Sequence, residues 1–153
     1  MTETGRIEPV YLGYRFGIYA AALALGATGA AASTLSEFQM RCLTPMIEVR
    51  ESDTSGLSLI EDMAGRETWV AEGQDWHLSR ASADAVVLFC AIHGTFGTEV
   101  DAFAETALAS GDWVRIDRVP ETLQSVFLRE PLIEVEIDRE GGSLTVIETN
   151  LES

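Results

Sequence analysis

The chain has 153 residues, of which 46% are hydrophobic and 23% are charged, a composition typical of one folded domain with a real core. Its 25 acidic residues outnumber its 10 basic residues, which gives a formal net charge of −15. Such a charge repels phosphate backbones and anionic lipid, so it argues against nucleic-acid binding. It suits a strongly solvated surface or a cationic partner.

The first 32 residues have the pattern of an export signal. An uncharged, alanine-rich stretch covers residues 16–32, directly after Arg15, and it is too short and too rich in small side chains for a typical membrane span. Ala30 and Ala32 supply the small side chains that signal peptidase requires, which predicts cleavage between Ala32 and Ser33. We therefore expect a signal peptide at 1–32 and a single domain at 33–153.

Two other interpretations of that stretch remain open. It could stay attached as a membrane anchor, or it could form a buried alanine-rich helix. The protein would contact a membrane only if the N-terminal helix is retained.

The first helix of the domain is predicted to begin at Ser36, because Ser36 and Gln39 have the spacing of a capping box. It is expected to end near Thr44, because the residue before a proline avoids the helical region and Pro45 follows. At helical spacing, one face of this helix is apolar. Its members are Leu35, Phe38 and Cys42.

The middle of the chain changes from helical to strand-like spacing. Residues 51–56 read as a polar loop, and 57–65 as a short helical turn. Residues 68–79 predict two short strands joined at Gly73. The continuous apolar run 85–92 predicts a strand at the centre of a sheet, covered on both faces.

The next segment contains the clearest helix signal. Residues 98–111 carry an apolar stripe at helical spacing, and Gly111 is placed to end the helix. Residues 113–116 predict a strand whose inward side chains are Val114 and Ile116. A helical turn is expected at 121–126, after a proline.

The C-terminal part, 132–149, predicts a β-hairpin, because two β-rich runs flank a glycine turn. Apolar and acidic side chains alternate along its first run, so we expect one buried and one wet face. The predicted fold is therefore α+β: a mostly antiparallel sheet with two main helices packed on one face, preceded by an N-terminal signal or anchor helix.

No pattern in the sequence points to a catalytic, cofactor-binding or metal-binding residue. The two histidines, His77 and His93, lack the spacing of zinc ligands, and no serine lies in a nucleophile elbow. The glycine-containing stretch 93–101 joins a strand to a helix, but it matches neither a P-loop nor a dinucleotide fingerprint.

The two cysteines, Cys42 and Cys90, are predicted to form a disulfide. An exported chain matures in an oxidising compartment, where paired thiols persist. Cys42 lies on the apolar face of the first helix, and Cys90 lies in the strand that this face could cover. The competing interpretation is two buried free thiols.

The favoured functional hypothesis is a small acidic protein, periplasmic or secreted, that binds a protein or small-molecule partner in the cell envelope. One alternative is a hydrolase that uses His77 or His93 with a nearby carboxylate. The other is a structural component held at the membrane by an uncleaved N-terminus. An exposed apolar patch containing a tryptophan would favour binding. The tryptophans are Trp69, Trp76 and Trp113.

Overall fold

The structure, a computed structural model of the chain, describes residues 33–127 and 132–149. All of them belong to one compact unit, Ala31–Ser153. The predicted signal segment 1–32 lies outside the described residues, so its cleavage and its possible retention stay predictions. Within the described ranges, no helix has the length and hydropathy needed to cross a membrane.

The N-terminal helical region consists of three consecutive segments: α1 (Thr34–Phe38), the π-helical turn π1 (Gln39–Leu43) and α2 (Thr44–Ile47). It begins earlier than the capping box predicted, because Ser33 is the N-cap. The Ser33 hydroxyl accepts a hydrogen bond from the backbone N–H of Ser36 at 3.1 Å. Ser33 is the residue predicted to follow the cleavage point.

Pro45 lies within this helical region and does not end it, contrary to the prediction. Proline has no backbone N–H for the carbonyl of residue i−4, which here is Arg41. That carbonyl accepts a hydrogen bond from the backbone N–H of Asp53 instead, at 3.0 Å. The wider turn of π1, where the Thr44 N–H bonds to the Gln39 carbonyl, lets the helix continue.

The rest of the described chain forms one eight-stranded sheet and one further helix. In chain order the elements are β1 (Ser58–Met63), β2 (Arg66–Val70), β3 (His77–Arg80), β4 (Phe89–His93), α3 (Glu99–Ser110), β5 (Trp113–Ile116), β6 (Glu121–Ser125), β7 (Ile133–Asp138) and β8 (Ser143–Glu148). The sheet order is β1-β2-β3-β4-β8-β7-β6-β5, and every neighbouring pair is antiparallel. Each half of the fold is a helical segment followed by a four-stranded meander, and β4 and β8 join the halves. The predicted antiparallel sheet is confirmed.

The core lies between the helices and one face of the sheet, as predicted. Strand residues directly opposite each other share a face, so the register defines this layer. Its buried members from the helices are Leu35, Phe38, Cys42, Val100 and Ala104. Those from the sheet are Leu78, Cys90, Ile92, Leu123, Val135, Ile137, Leu144 and Val146.

Both predicted helical turns are strands. Residues 57–65 contain the edge strand β1, whose pairing with β2 shifts at a bulge near Ile60 and so interrupts the alternation. Residues 121–126 contain β6, which pairs with β5 and β7. A run of five or six residues carries too little periodicity to distinguish a turn of helix from a strand, and the pairing with neighbouring strands decides between them.

The apolar run 85–92 is only partly a strand. β4 is central, as predicted, but it begins at Phe89, and the side chains of Val86–Leu88 are exposed. The helices cover one face of β4 and not both. In β5 the prediction of inward side chains is wrong, because Trp113 packs against the core and Val114 is exposed.

The hairpin of β7 and β8 is confirmed, and its buried face contains Ile133, Val135 and Ile137. Its opposite face is not uniformly wet, since Glu134 is only 4% exposed. The Glu134 carboxylate accepts hydrogen bonds from Arg118 at 2.7 Å and from Gln124 at 3.1 Å.

Candidate functional site

Cys42 and Cys90 form a disulfide, and their Cα atoms lie 5.3 Å apart. The bond joins the π-helical turn to the central strand β4, as the sequence predicted. A structural disulfide is typical of proteins that fold outside the cytoplasm. It also fixes π1, from which α2 continues, against β4.

A cavity of about 370 Å³ lies between the end of α2 and the ends of β3, β4 and β8. We call it the α2 cavity. Its wall includes Met46, Val49, Arg80, Leu88, Phe89 and Glu148. A volume of this order falls within the usual range for small-molecule sites, roughly 300–1,000 Å³.

The α2 cavity is an opening in the layer between helix and sheet. Arg80 pairs directly with Cys90, so its side chain lies on the helix-facing side of the sheet. Glu148 lies two residues beyond Val146, which is buried on that same side. The cavity therefore continues the apolar core towards the solvent, and Leu88 remains 47% exposed at its edge.

The polar floor of the cavity is a fixed network around Arg80. Its guanidinium forms an ion pair with Glu67 at 2.8 Å and donates to the Ser52 carbonyl at 3.3 Å. It also lies over the Trp69 ring, 5.3 Å from the centroid, and the Trp69 indole N–H donates to Glu67 at 3.0 Å. The hydrogen bond from Arg80 lowers the pKa of Glu67, with a smaller contribution from Trp69. Glu67 thus stays ionised and neutralises Arg80.

Val49, at the rim of the cavity, has a strained backbone. Its φ is +53°, a left-handed conformation that is unfavourable for a β-branched residue. The Val49 N–H bonds to the Met46 carbonyl at 3.2 Å, and the Arg50 N–H bonds to the Pro45 carbonyl at 2.8 Å. These bonds hold the strained turn, and the Val49 side chain is 75% exposed beside the cavity. Backbone strain of this kind clusters at ligand-binding sites.

His77 and His93 come together on the opposite face of the sheet. They pair directly between β3 and β4, and their rings stack with centroids 4.6 Å apart. Burial lowers the pKa of each ring, and the charge of Arg66 adds to the effect on both. In the part of the chain that the structure describes, neither ring bonds to a carboxylate, and neither lines the α2 cavity.

The glycine-containing stretch 93–101 forms the connection to α3. The backbone N–H of Gly97 donates to the Glu99 carboxylate at 3.0 Å, and Asp101 pairs with Arg139 at 2.6 Å. A Cβ atom at Gly94 would lie 2.9 Å from the Cβ of Trp76, so this glycine permits a close approach. The acidic side chains of the first turn therefore occupy the helix N-terminus themselves.

The tryptophans do not form an exposed apolar patch. Trp76 is buried, and Trp69 and Trp113 are half-buried against the core. The apolar residues at the cavity edge are Val49 and Leu88, which local patterns did not single out. The apolar run 85–92 did indicate exposed apolar surface, because it contains more apolar residues than a short strand can bury.

In the two described ranges, no three side chains of His, Cys, Asp or Glu converge as a metal ion would require. Comparison with protein-family models, with curated proteins and with solved structures finds no match to this chain.

Proposed function

We propose that this chain is an exported binding protein of the cell envelope, periplasmic or secreted, and that the α2 cavity holds its ligand. The observation that carries the proposal is the cavity itself: about 370 Å³, lined by apolar side chains together with a charged network around Arg80, and open to solvent. The disulfide and the pattern of residues 1–32 support the export part.

Ligand binding would cover apolar surface that is now in contact with water. Leu88 and Val49 are the large exposed apolar side chains of the wall. Each square ångström of apolar surface removed from water contributes about 25 cal/mol. The disulfide and the hydrogen-bonded turn at Val49 hold the wall in place, so little ordering cost accompanies binding.

A fluorescence titration tests the ligand site. N-phenyl-1-naphthylamine, an uncharged dye that brightens in apolar surroundings, should bind the protein. Leu88→Ser should weaken its binding about tenfold, because a half-buried leucine contact is worth roughly 1–2 kcal/mol. Val126→Ser is the matched control, since Val126 is 49% exposed and lies outside the cavity wall. Equal affinity in both variants, or no binding at all, would contradict the cavity as the site.

Mass spectrometry of the protein from its native cells tests export. The expected N-terminus is Ser33, in the periplasmic or secreted fraction. A full-length chain in the membrane fraction would instead support the anchored alternative, and a full-length chain in the cytosol would contradict both.

A further inference from the structure

We infer that the ligand of the α2 cavity is a small cationic amphiphile: an alkyl chain that ends in an ammonium group. This inference rests on the proposed function and adds the charge of the ligand to it. The apolar wall would hold the alkyl chain, and unpaired carboxylates at the mouth would face the ammonium group.

The two arginines at the cavity are already paired. Arg80 is bound through Nε to Glu67 at 2.8 Å and through Nη1 to the Ser52 carbonyl. Arg50 is bound through Nε to Glu48 at 2.7 Å and through Nη2 to the same carboxylate oxygen. Each guanidinium charge is therefore already neutralised by a carboxylate, and an anionic ligand at either arginine would also meet the repulsion of that carboxylate, so anion binding is disfavoured.

Two carboxylates of the cavity wall have no such partner. Glu51 and Glu148 line the cavity, and within the described residues neither side chain takes part in a hydrogen bond or an ion pair. The paired arginines and their glutamates cancel, which leaves the mouth with the negative charge of these two groups. The whole chain adds a net charge of −15, which concentrates cations near the surface and repels anions.

The size and shape of the site favour a small molecule over a polypeptide. The volume of about 370 Å³ lies near the lower end of the range for small ligands. The cavity opens at the end of the helix–sheet layer, bounded by Met46 on one side and Leu88 on the other. The alkyl chain of one ligand molecule fits this geometry, and its ammonium group stays at the rim beside Glu148.

Three compounds that share an octyl chain and carry a cationic, a neutral or an anionic headgroup test the inference. Octyltrimethylammonium, octyl glucoside and octyl sulfate would be titrated below their critical micelle concentrations by calorimetry. We expect the cation to bind at least about fivefold more tightly than the neutral compound, and the anion to bind most weakly. The preference should shrink as the salt concentration rises, because the carboxylates at the mouth are screened.

Glu148→Gln should lower the ratio of the affinity for octyltrimethylammonium to that for octyl glucoside, because it removes one of the two unpaired carboxylates at the mouth. Glu136→Gln is the matched control, because Glu136 lies on β7 and outside the cavity wall. If all three compounds bind equally, or if octyl sulfate binds best, the charge inference is wrong and the cavity proposal survives. If none of them binds, the proposed function fails together with the inference.

Discussion

Glu134 and Arg118 form an ion pair in which the carboxylate is almost fully buried and the guanidinium is half-exposed, with 2.7 Å between Arg118 Nη1 and Glu134 Oε2. Gln124 on the neighbouring strand donates a second hydrogen bond to the same carboxylate at 3.1 Å. A buried carboxylate is tolerated only where its oxygens are satisfied in this way. The pair therefore ties the loop before β6 to β7.

Loss of the Glu134 charge should destabilise the fold measurably. Glu134→Gln weakens two hydrogen bonds to a charged acceptor, and we expect the free energy of unfolding to fall by about 1–2 kcal/mol, with a discount for the exposed side of Arg118. Glu136→Gln, two residues along the same face, should change it by less than about 0.5 kcal/mol. Urea denaturation of the two variants checks this, and equal effects would contradict the pairing.

The core face of β7 gives a stronger effect. Val135 is fully buried between Leu123 and Val146 on the helix-facing side. Val135→Asp places an unpaired charge there and should cost at least about 3 kcal/mol, or prevent folding. Val114→Asp, at an exposed valine of β5, is the control and should be well tolerated. Circular dichroism and thermal denaturation distinguish the two variants. A stable Val135→Asp protein would show that Val135 does not face the core.

The disulfide should supply a large part of the total stability. Cys42 and Cys90 are 48 residues apart in sequence, and closing a loop of that length contributes about 4 kcal/mol in the chain-entropy model. The melting temperature should fall on reduction, and the non-reduced mass should be about two units lower. Quantitative alkylation of both thiols in freshly isolated protein without reductant would show that the bond is absent.

Relief of the strain at Val49 should stabilise the protein. Asparagine tolerates the left-handed conformation better than a β-branched residue, so Val49→Asn should raise the free energy of unfolding by about 1 kcal/mol. Val86→Asn is a suitable control, because Val86 is 86% exposed and its φ is not positive. We expect a change there within about 0.5 kcal/mol. A Val49→Asn variant that is less stable than the control would argue against strain.

The stacked histidines should make stability depend on pH. The pKa of His77 and of His93 is lowered in the folded state, chiefly by burial, so the unfolded chain binds more protons below about pH 6.5. The stability that the folded protein owes to these neutral histidines is fully present above that pH. It is lost as the pH falls towards the folded-state pKa values. The double variant His77→Gln/His93→Gln should flatten this dependence between about pH 5 and 7. An unchanged slope in denaturation experiments at several pH values would exclude the pair as its source.

The sequence predicted correctly those helices and strands whose pattern lies within one short segment of the chain. The apolar face of the first helix, the α3 stripe with its Gly111 stop and the final hairpin all follow from spacing within fewer than twenty residues. The disulfide could be predicted because it joins two such elements. The predictions that were wrong concern features that depend on bonding partners: the edge strand β1 contains a bulge where it pairs with β2, and Pro45 is accommodated because π1 widens the helix and Asp53 satisfies the Arg41 carbonyl.

The candidate site could not be predicted from local patterns for the same reason. The α2 cavity takes Val49 from the turn after α2, Leu88 from the segment before β4 and Glu148 from the end of β8. Only the β4–β8 register brings Leu88 and Glu148 together, and the Glu148 N–H bonds to the Leu88 carbonyl at 3.0 Å. The sequence has no signal for that register, because the two strands are far apart along the chain.

The position of β8 has a consequence for the order of folding. The last strand in the described part of the chain, β8 (Ser143–Glu148), lies between β4 and β7 in the middle of the sheet. Until it is available, the first four strands and the next three form separate meanders, each with an open edge. Pairing between strands so distant in sequence is intrinsically slow. The sheet therefore cannot close before β8 has been made, and until then the open edges of β4 and β7 stay accessible to chaperones.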